Sequence, residues 1–175
     1  IAIIGVGYMG LLFVALSKIK NAKNICVIDF DQKRLQIAKK LGATKLVKLT
    51  NKNKNIVNNI LKPTNNNGYN AVISANSNIK AHELACELVS KKGVINLFGG
   101  IPKNNNKLKL NSNLLHYKEA MITGSFSSNQ KHLEKAFSLI KNKSIDFSQI
   151  VTSYVNYDNF KKKIRQLKNK KEIKL

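Results

Sequence analysis

Six consecutive residues, Gly5-Val6-Gly7-Tyr8-Met9-Gly10, set glycines in the spacing G-x-G-x-x-G directly after the apolar run Ile1 to Ile4. A strand that turns at once into a helix uses those glycines differently. Gly5 permits the tight turn, Gly7 lets the backbone approach a diphosphate, and Gly10 lets helix and strand pack closely. The diphosphate then meets unpaired amides at the positive end of the helix dipole. Nineteen residues after Gly10, Asp29 closes the apolar run Ile25 to Ile28. A carboxylate there accepts both hydroxyl hydrogens of a ribose. It also repels a 2′-phosphate, by about 4 kcal/mol at ~4 Å and an effective dielectric of about 20. Glycine turns recur by chance and an aspartate beside a helix needs no ligand, but the two together in this order point to a dinucleotide, with NAD favoured over NADP.

Other chemistry-bearing residues are sparse. His82 and Cys86 are spaced i, i+4 on an expected helix and share a face. Two donors without a third are more simply an exposed histidine and a small buried thiol, because catalytic zinc needs three protein ligands. His116 and His132 lack acidic or metal-binding neighbours and read as turn or surface residues, while Cys26, among aliphatic residues, reads as core. No Ser-His-Asp or Cys-His spacing is present, so no catalytic residue and no metal ligand is assigned.

The elements that position these residues alternate. Strands are expected at Ile1–Ile4, Asn24–Asp29, Leu46–Leu49, Ala71–Ser74, Val94–Phe98 and Met121–Gly124. Helices are expected at Tyr8–Ile19, Asp31–Leu41, Lys54–Leu61, Asn78–Lys91, Asn129–Asn142 and Tyr157–Asn169, with a last strand at Glu172–Leu175. Asp31 caps its helix and Gly42 closes it. Asn-rich stretches at 51–55, 64–70 and 104–106 separate the periodic segments. Strands apolar on both faces and separated by helices imply an α/β fold, a doubly wound parallel sheet with helices on both faces.

Composition narrows the rest. A chain of 175 residues suits one domain, and 43% hydrophobic content excludes wholesale disorder. No apolar run approaches the ~18 residues needed to span a bilayer, so no membrane partner is expected. Two cysteines make no disulfide framework, which points to a reducing, cytoplasmic setting. With Ile1 opening straight into a strand, the chain reads as a fragment. The net charge is +22, and all but two of the 31 basic residues (Arg34 and Arg165) are lysine. Scattered lysine without a basic stripe reads as solvated surface, with no nucleic-acid partner expected. Lys161, Lys162, Lys163 and Lys168 flank the stripe Phe160, Ile164, Leu167 and form its wet face.

Beyond the glycine loop the chain resembles the cofactor-binding half of zinc-dependent medium-chain alcohol and polyol dehydrogenases, whose domain is a Rossmann fold. The likeness rests on Gly5 to Gly10, Val27-Ile28-Asp29-Phe30-Asp31 with Arg34, Lys40-Leu41-Gly42-Ala43-Thr44, Asn96-Leu97-Phe98-Gly99-Gly100-Ile101-Pro102 and Ile122-Thr123-Gly124-Ser125-Phe126. The stretch Asn113 to Glu119 is most similar to the polyol branch. The resemblance implies Asp29 and Arg34 beside the adenosine ribose, and Gly5, Gly7, Tyr8, Met9 and Gly10 around the diphosphate. It implies Phe98, Gly99, Gly100, Ser125, Phe126 and Ser127 on the nicotinamide side, and Lys174 reaching the phosphates. Tyr8 stands where the family has proline, and Ser74 and Ser77 stand where it has an acidic residue and a glycine. The resemblance also implies a cofactor domain at 1–150, with 151–175 returning toward a preceding domain that carries the zinc. The expected activity is hydride transfer between NAD and a small-molecule polyol or secondary alcohol, in a homo-oligomer, with this chain inactive alone. Two alternatives stay open: a non-catalytic NAD-binding sensor domain, and a zinc-free NAD(P)-dependent reductase.

Overall fold

A computed structural model describes residues 1–50, 55–151, 154–158, 160 and 164. The chain alternates β1 (Ala2–Ile4), α1 (Tyr8–Ile19), β2 (Cys26–Asp29), α2 (Gln32–Lys40), β3 (Lys45–Lys48), α3 (Ile56–Leu61), β4 (Tyr69–Ser74), α4 (Ile79–Leu88), β5 (Val89–Leu97), α5 (Ser112–Lys118), β6 (Met121–Gly124) and α6 (Gln130–Lys141). All pairings are parallel, in the order β3-β2-β1-β4-β5-β6. The chain therefore winds outward from β1 to β3, crosses back, and winds the other way from β4 to β6. Where the direction reverses, between the carboxyl ends of β1 and β4, the loops diverge and leave a crevice.

Alternation along the strands divides the core into two layers. Ile3 and Val27, together with Val6, Leu11, Val14 and Leu35, pack under α1 and α2. Ala2, Ile4, Cys26, Ile28, Val72 and Ile95 pack on the other face with Ala85 and Leu88 of α4 and Ile60 of α3. Burial on both faces is why these strands read as unbroken apolar runs. The expected doubly wound sheet is the one observed.

Two local expectations need correction. The helix expected to run to Lys91 ends at Leu88, and β5 begins at Val89, opposite Tyr69. At the stop, the Lys118 ammonium donates to the carbonyls of Glu87 and Val89 at 3.3 and 2.6 Å. A cation there also suits the negative end of the helix. The seven-residue α5, capped by the Asn111 side chain, was not expected at all, its signal being lost among asparagine-rich loops. Of the expected helix Tyr157–Asn169, only Tyr157, Asp158, Phe160 and Ile164 are described. The lysines at 161, 162, 163, 168 and 174 and the expected strand Glu172–Leu175 lie outside the described residues.

Candidate functional site

The carboxyl end of β1 turns at Gly5, whose φ of +88° only glycine adopts without strain. A Cβ on Gly10 would sit 2.0 Å from the Gly5 carbonyl oxygen, so α1 can lie this close to β1 only with glycine there. Gly7 differs: its φ is ordinary, and the first protein atom a Cβ would meet is Nη1 of Arg34 at 3.9 Å. The space over Gly7 is open. Gly7 is also the N-cap of α1 and gives the first turn no side-chain acceptor, whereas Asp31, Asn78, Asn111 and Asn129 cap α2, α4, α5 and α6. Tyr8 is exposed and Met9 half-buried on that turn. A helix start without a side-chain cap is suited to an anion.

Asp29 stands beside this loop at the end of β2. Its Oδ2 accepts the Val6 amide at 2.8 Å and its Oδ1 accepts the Asp31 amide at 2.9 Å. A carboxylate has about four acceptor positions, so two remain for further donors. Arg34 lies one turn into α2, its Nε 3.8 Å from Oδ2 of Asp31. Between the ends of β1, β2 and β3 and the start of α4 lies a cavity of about 530 Å³. Ile28, Phe30, Leu49 and Leu84 give it apolar walls, with Asp29 and Asn76 at its polar edge.

On the other side of β1, Asn76 ties the crevice together. Its side-chain Nδ2 donates to the Ile4 carbonyl at 3.3 Å. Its backbone lies so close to Gly99 that a Cβ there would be 1.9 Å from the Asn76 oxygen. The amides of Phe98 and Gly99 both donate to the Ser74 carbonyl, at 3.2 and 3.0 Å. The Phe98 ring turns back onto Phe13 of α1, edge to face at 5.0 Å. Ser125 accepts from the Asn96 side chain at 2.8 Å, which binds the end of β6 to β5. Phe126 is fully exposed, and Ser127 adopts a left-handed φ of +63°. Gly100 has no atom within 4 Å of its missing Cβ.

Gly5 and Asp29 thus line one cavity, Gly7 and Arg34 flank the α1 start, and Phe98 to Gly100 and Ser125 to Ser127 sit at the carboxyl ends of β5 and β6. Lys174 lies outside the described residues. Asn76, Ser77, Asn78 and Lys80 also line the cavity and were not singled out as site residues. The signal that finds them is topological: they follow β4, the strand that pairs with β1 across the reversal.

His82 corrects another expectation, since it is 5% exposed. Burial pushes its ring below the ordinary histidine range, against the opposing pull of the Gly99 and Asn76 backbone. Its Nε2 and the Ser74 Oγ are buried without a hydrogen-bond partner. Cys86 is spent on packing, its thiol donating to the His82 carbonyl at 3.3 Å, and burial pushes both it and Cys26 up. His116 and His132 are exposed, as expected. Among the described residues no three His, Cys, Asp or Glu side chains gather to hold a metal ion, and no helix is long and apolar enough to cross a membrane.

The family model for zinc-binding dehydrogenases matches residues 9–142. The chain belongs to that family. An L-threonine 3-dehydrogenase from Chromobacterium violaceum is 27% identical over 91% of this chain and 46% of its own length. Sorbitol dehydrogenase of Bacillus subtilis is 32% identical over 72% of the chain and 35% of the relative. The crystal structure of a short chain alcohol dehydrogenase from E. coli CFT073, complexed with NADH, superposes with a TM-score of 0.83 at 20% identity, over 95% of this chain and 48% of that one. The chain spans about half the length of the curated zinc-binding dehydrogenases it matches.

Proposed function

We propose that this zinc-binding dehydrogenase chain is the NAD-binding part of an oxidoreductase acting on a polyol or another secondary alcohol. The observation that carries the reading is the α1 start: a helix with no side-chain cap over an unobstructed Gly7, with the carboxylate of Asp29 fastened to the same loop. The amides of the first turn would hold the diphosphate. The remaining lone pairs of Asp29 would accept the two ribose hydroxyls, and its charge would disfavour a 2′-phosphate. The apolar walls at Ile28, Phe30, Leu49 and Leu84 suit a flat heteroaromatic ring and keep water from it. At β5, where the amides of Phe98 and Gly99 are already committed to Ser74, the Phe98 carbonyl is the group suited to a carboxamide NH₂. When bound, NAD supplies a hydride acceptor at its nicotinamide ring.

Nothing among the described residues fits zinc, so no step passes through a metal held here. The names of the relatives fit a secondary hydroxyl: sorbitol bears several, and the 3-hydroxyl of threonine is one. The boundary we propose keeps 1–150 as the cofactor unit and 151–175 as a return toward a further, zinc-holding domain in a cytoplasmic homo-oligomer, with this chain inactive by itself.

Calorimetric titration of the chain with NAD and with NADP tests the reading. NAD should bind, and NADP about a hundredfold more weakly. Absence of NAD binding, or tighter binding of NADP, defeats it.

A further inference from the structure

Three charged side chains form a short sequence of contacts at the adenosine end of the site. Asp29 Oδ1 accepts the amide of Asp31, and Asp31 Oδ1 accepts the amides of Lys33 and Arg34 at 2.8 and 3.3 Å, capping α2. The second oxygen of Asp31 then faces the Arg34 guanidinium, 3.8 Å from Nε. That contact leans the far end of the guanidinium toward Gly7, where its Nη1 lies 3.9 Å from the position of a Cβ. Arg34 makes no ion pair with Asp29 among the described residues. The strongest phosphate-binding side chain near the site is therefore paired with Asp31 while its far end reaches the diphosphate loop.

We infer that Asp31 is a positioning residue for nucleotide choice. Through Arg34 it keeps the guanidinium from a 2′-phosphate, so discrimination against NADP rests on two acids, one facing the ribose and one restraining the arginine. The inference rests on the dinucleotide reading above and deepens it. A guanidinium released from Asp31 has a planar fork that matches a phosphate with two parallel hydrogen bonds.

Asp31→Asn separates the two jobs of this residue. Asparagine still caps a helix, because its side-chain oxygen accepts the same amides, but it carries no charge for Arg34. NAD and NADP are titrated calorimetrically into the full chain, Asp31→Asn, Arg34→Gln and the double variant. Asp31→Asn should raise the NADP-to-NAD affinity ratio about three- to tenfold, the worth of one partly screened charge contact. In the Arg34→Gln background the same substitution should leave the ratio unchanged. An equal rise in both backgrounds would mean that Asp31 acts only by its own charge, and that overturns the inference, as does an unmoved ratio. If Asp31→Asn does not fold, Asp31→Ser, which also caps, takes its place under the same criteria. Failure of the unmodified chain to bind either nucleotide overturns the dinucleotide reading itself, whereas binding with an unmoved ratio overturns the role of Asp31 alone.

Discussion

Around β1, β2 and β4, Ile3, Ile4, Val27, Ile28 and Val72 are at most 2% exposed, and backbone packs on backbone at Gly5, Gly10, Asn76 and Gly99. Around β6 and α6, Met121, Leu133, Phe137 and Ile140 are between 55% and 69% exposed. There, Gly124 has no atom within 4 Å of its missing Cβ. The crevice between β1, β2 and β4 is thus held by contacts that tolerate almost no added atom. The β6 end is held by fewer and looser ones, chiefly the Asn96–Ser125 hydrogen bond. Tight packing concentrates where the ligand must be met by backbone, since amides can be aimed only by fixing the chain that carries them.

The sharpest way to break this contrast is to add one methyl group on each side. Gly10→Ala forces a Cβ against the Gly5 carbonyl oxygen, at 2.0 Å in the present geometry, and neither partner is a flexible side-chain tip. It should cost about 3 kcal/mol in chemical denaturation. Gly124→Ala has open space and an ordinary φ, and should change stability by no more than about 0.5 kcal/mol. Similar losses at the two positions would show that both ends are packed alike.

Next in size is Asp29, the carboxylate proposed to hold the ribose. Asp29→Ala removes two acceptors for ribose hydroxyls and leaves the amides of Val6 and Asp31 without their present partner. Hydrogen bonds to charged groups are worth about 1.5–3 kcal/mol each, so NAD affinity should fall about a hundredfold in calorimetry. Ser125→Ala, on the looser side, should cost less than about fivefold. A larger loss at Ser125 than at Asp29 reverses the comparison.

Much of the tight half was legible in the sequence, because its signals are local. The apolar runs of β1 and β2, the three glycines, the Asp31 cap and the position of Asp29 each follow from neighbours within a few residues. What escaped depends on distant partners. The carbonyls around the end of α4 at Leu88 are met by Lys118, some thirty residues away. Asn76 matters because the backbone of Gly99 lies on it, and no motif at Asn76 announces that contact. His82 is buried because α4 turns it toward the strands beneath, while its spacing from Cys86 suggested only a shared face. Among the described lysines, Lys118 departs from the bland surface reading, its ammonium donating to the carbonyls of Glu87 and Val89.

His82 gives a prediction with a definite sign. The unfolded chain takes up a proton near pH 6.5, whereas the folded chain resists it to lower pH because burial disfavours the imidazolium. The unfolded state therefore binds more protons in that interval, and stability must fall as pH drops through it, levelling off below the folded value. His82→Gln removes the titration, so stability measured at pH 8 and at pH 5.5 should decline less in the variant than in the unmodified chain. An equal decline in both would place the acid sensitivity elsewhere, for instance in the carboxylates.

The smallest effect is expected on α6. Truncating a fully buried phenylalanine costs about 3–5 kcal/mol, through lost transfer free energy and the cavity left behind. Phe137 is 66% exposed, so only a minor part of its surface leaves water on folding and no enclosed cavity can form. Glutamine is also at least as good a helix former as phenylalanine, which removes a propensity penalty from α6. Phe137→Gln should thus shift stability by less than about 1 kcal/mol in the same denaturation assay. A cost of about 3 kcal/mol would mean that the apolar stripe of Leu133, Phe137 and Ile140 is covered in solution, and the looser half of the molecule would then be as closely packed as the half that holds Asp29.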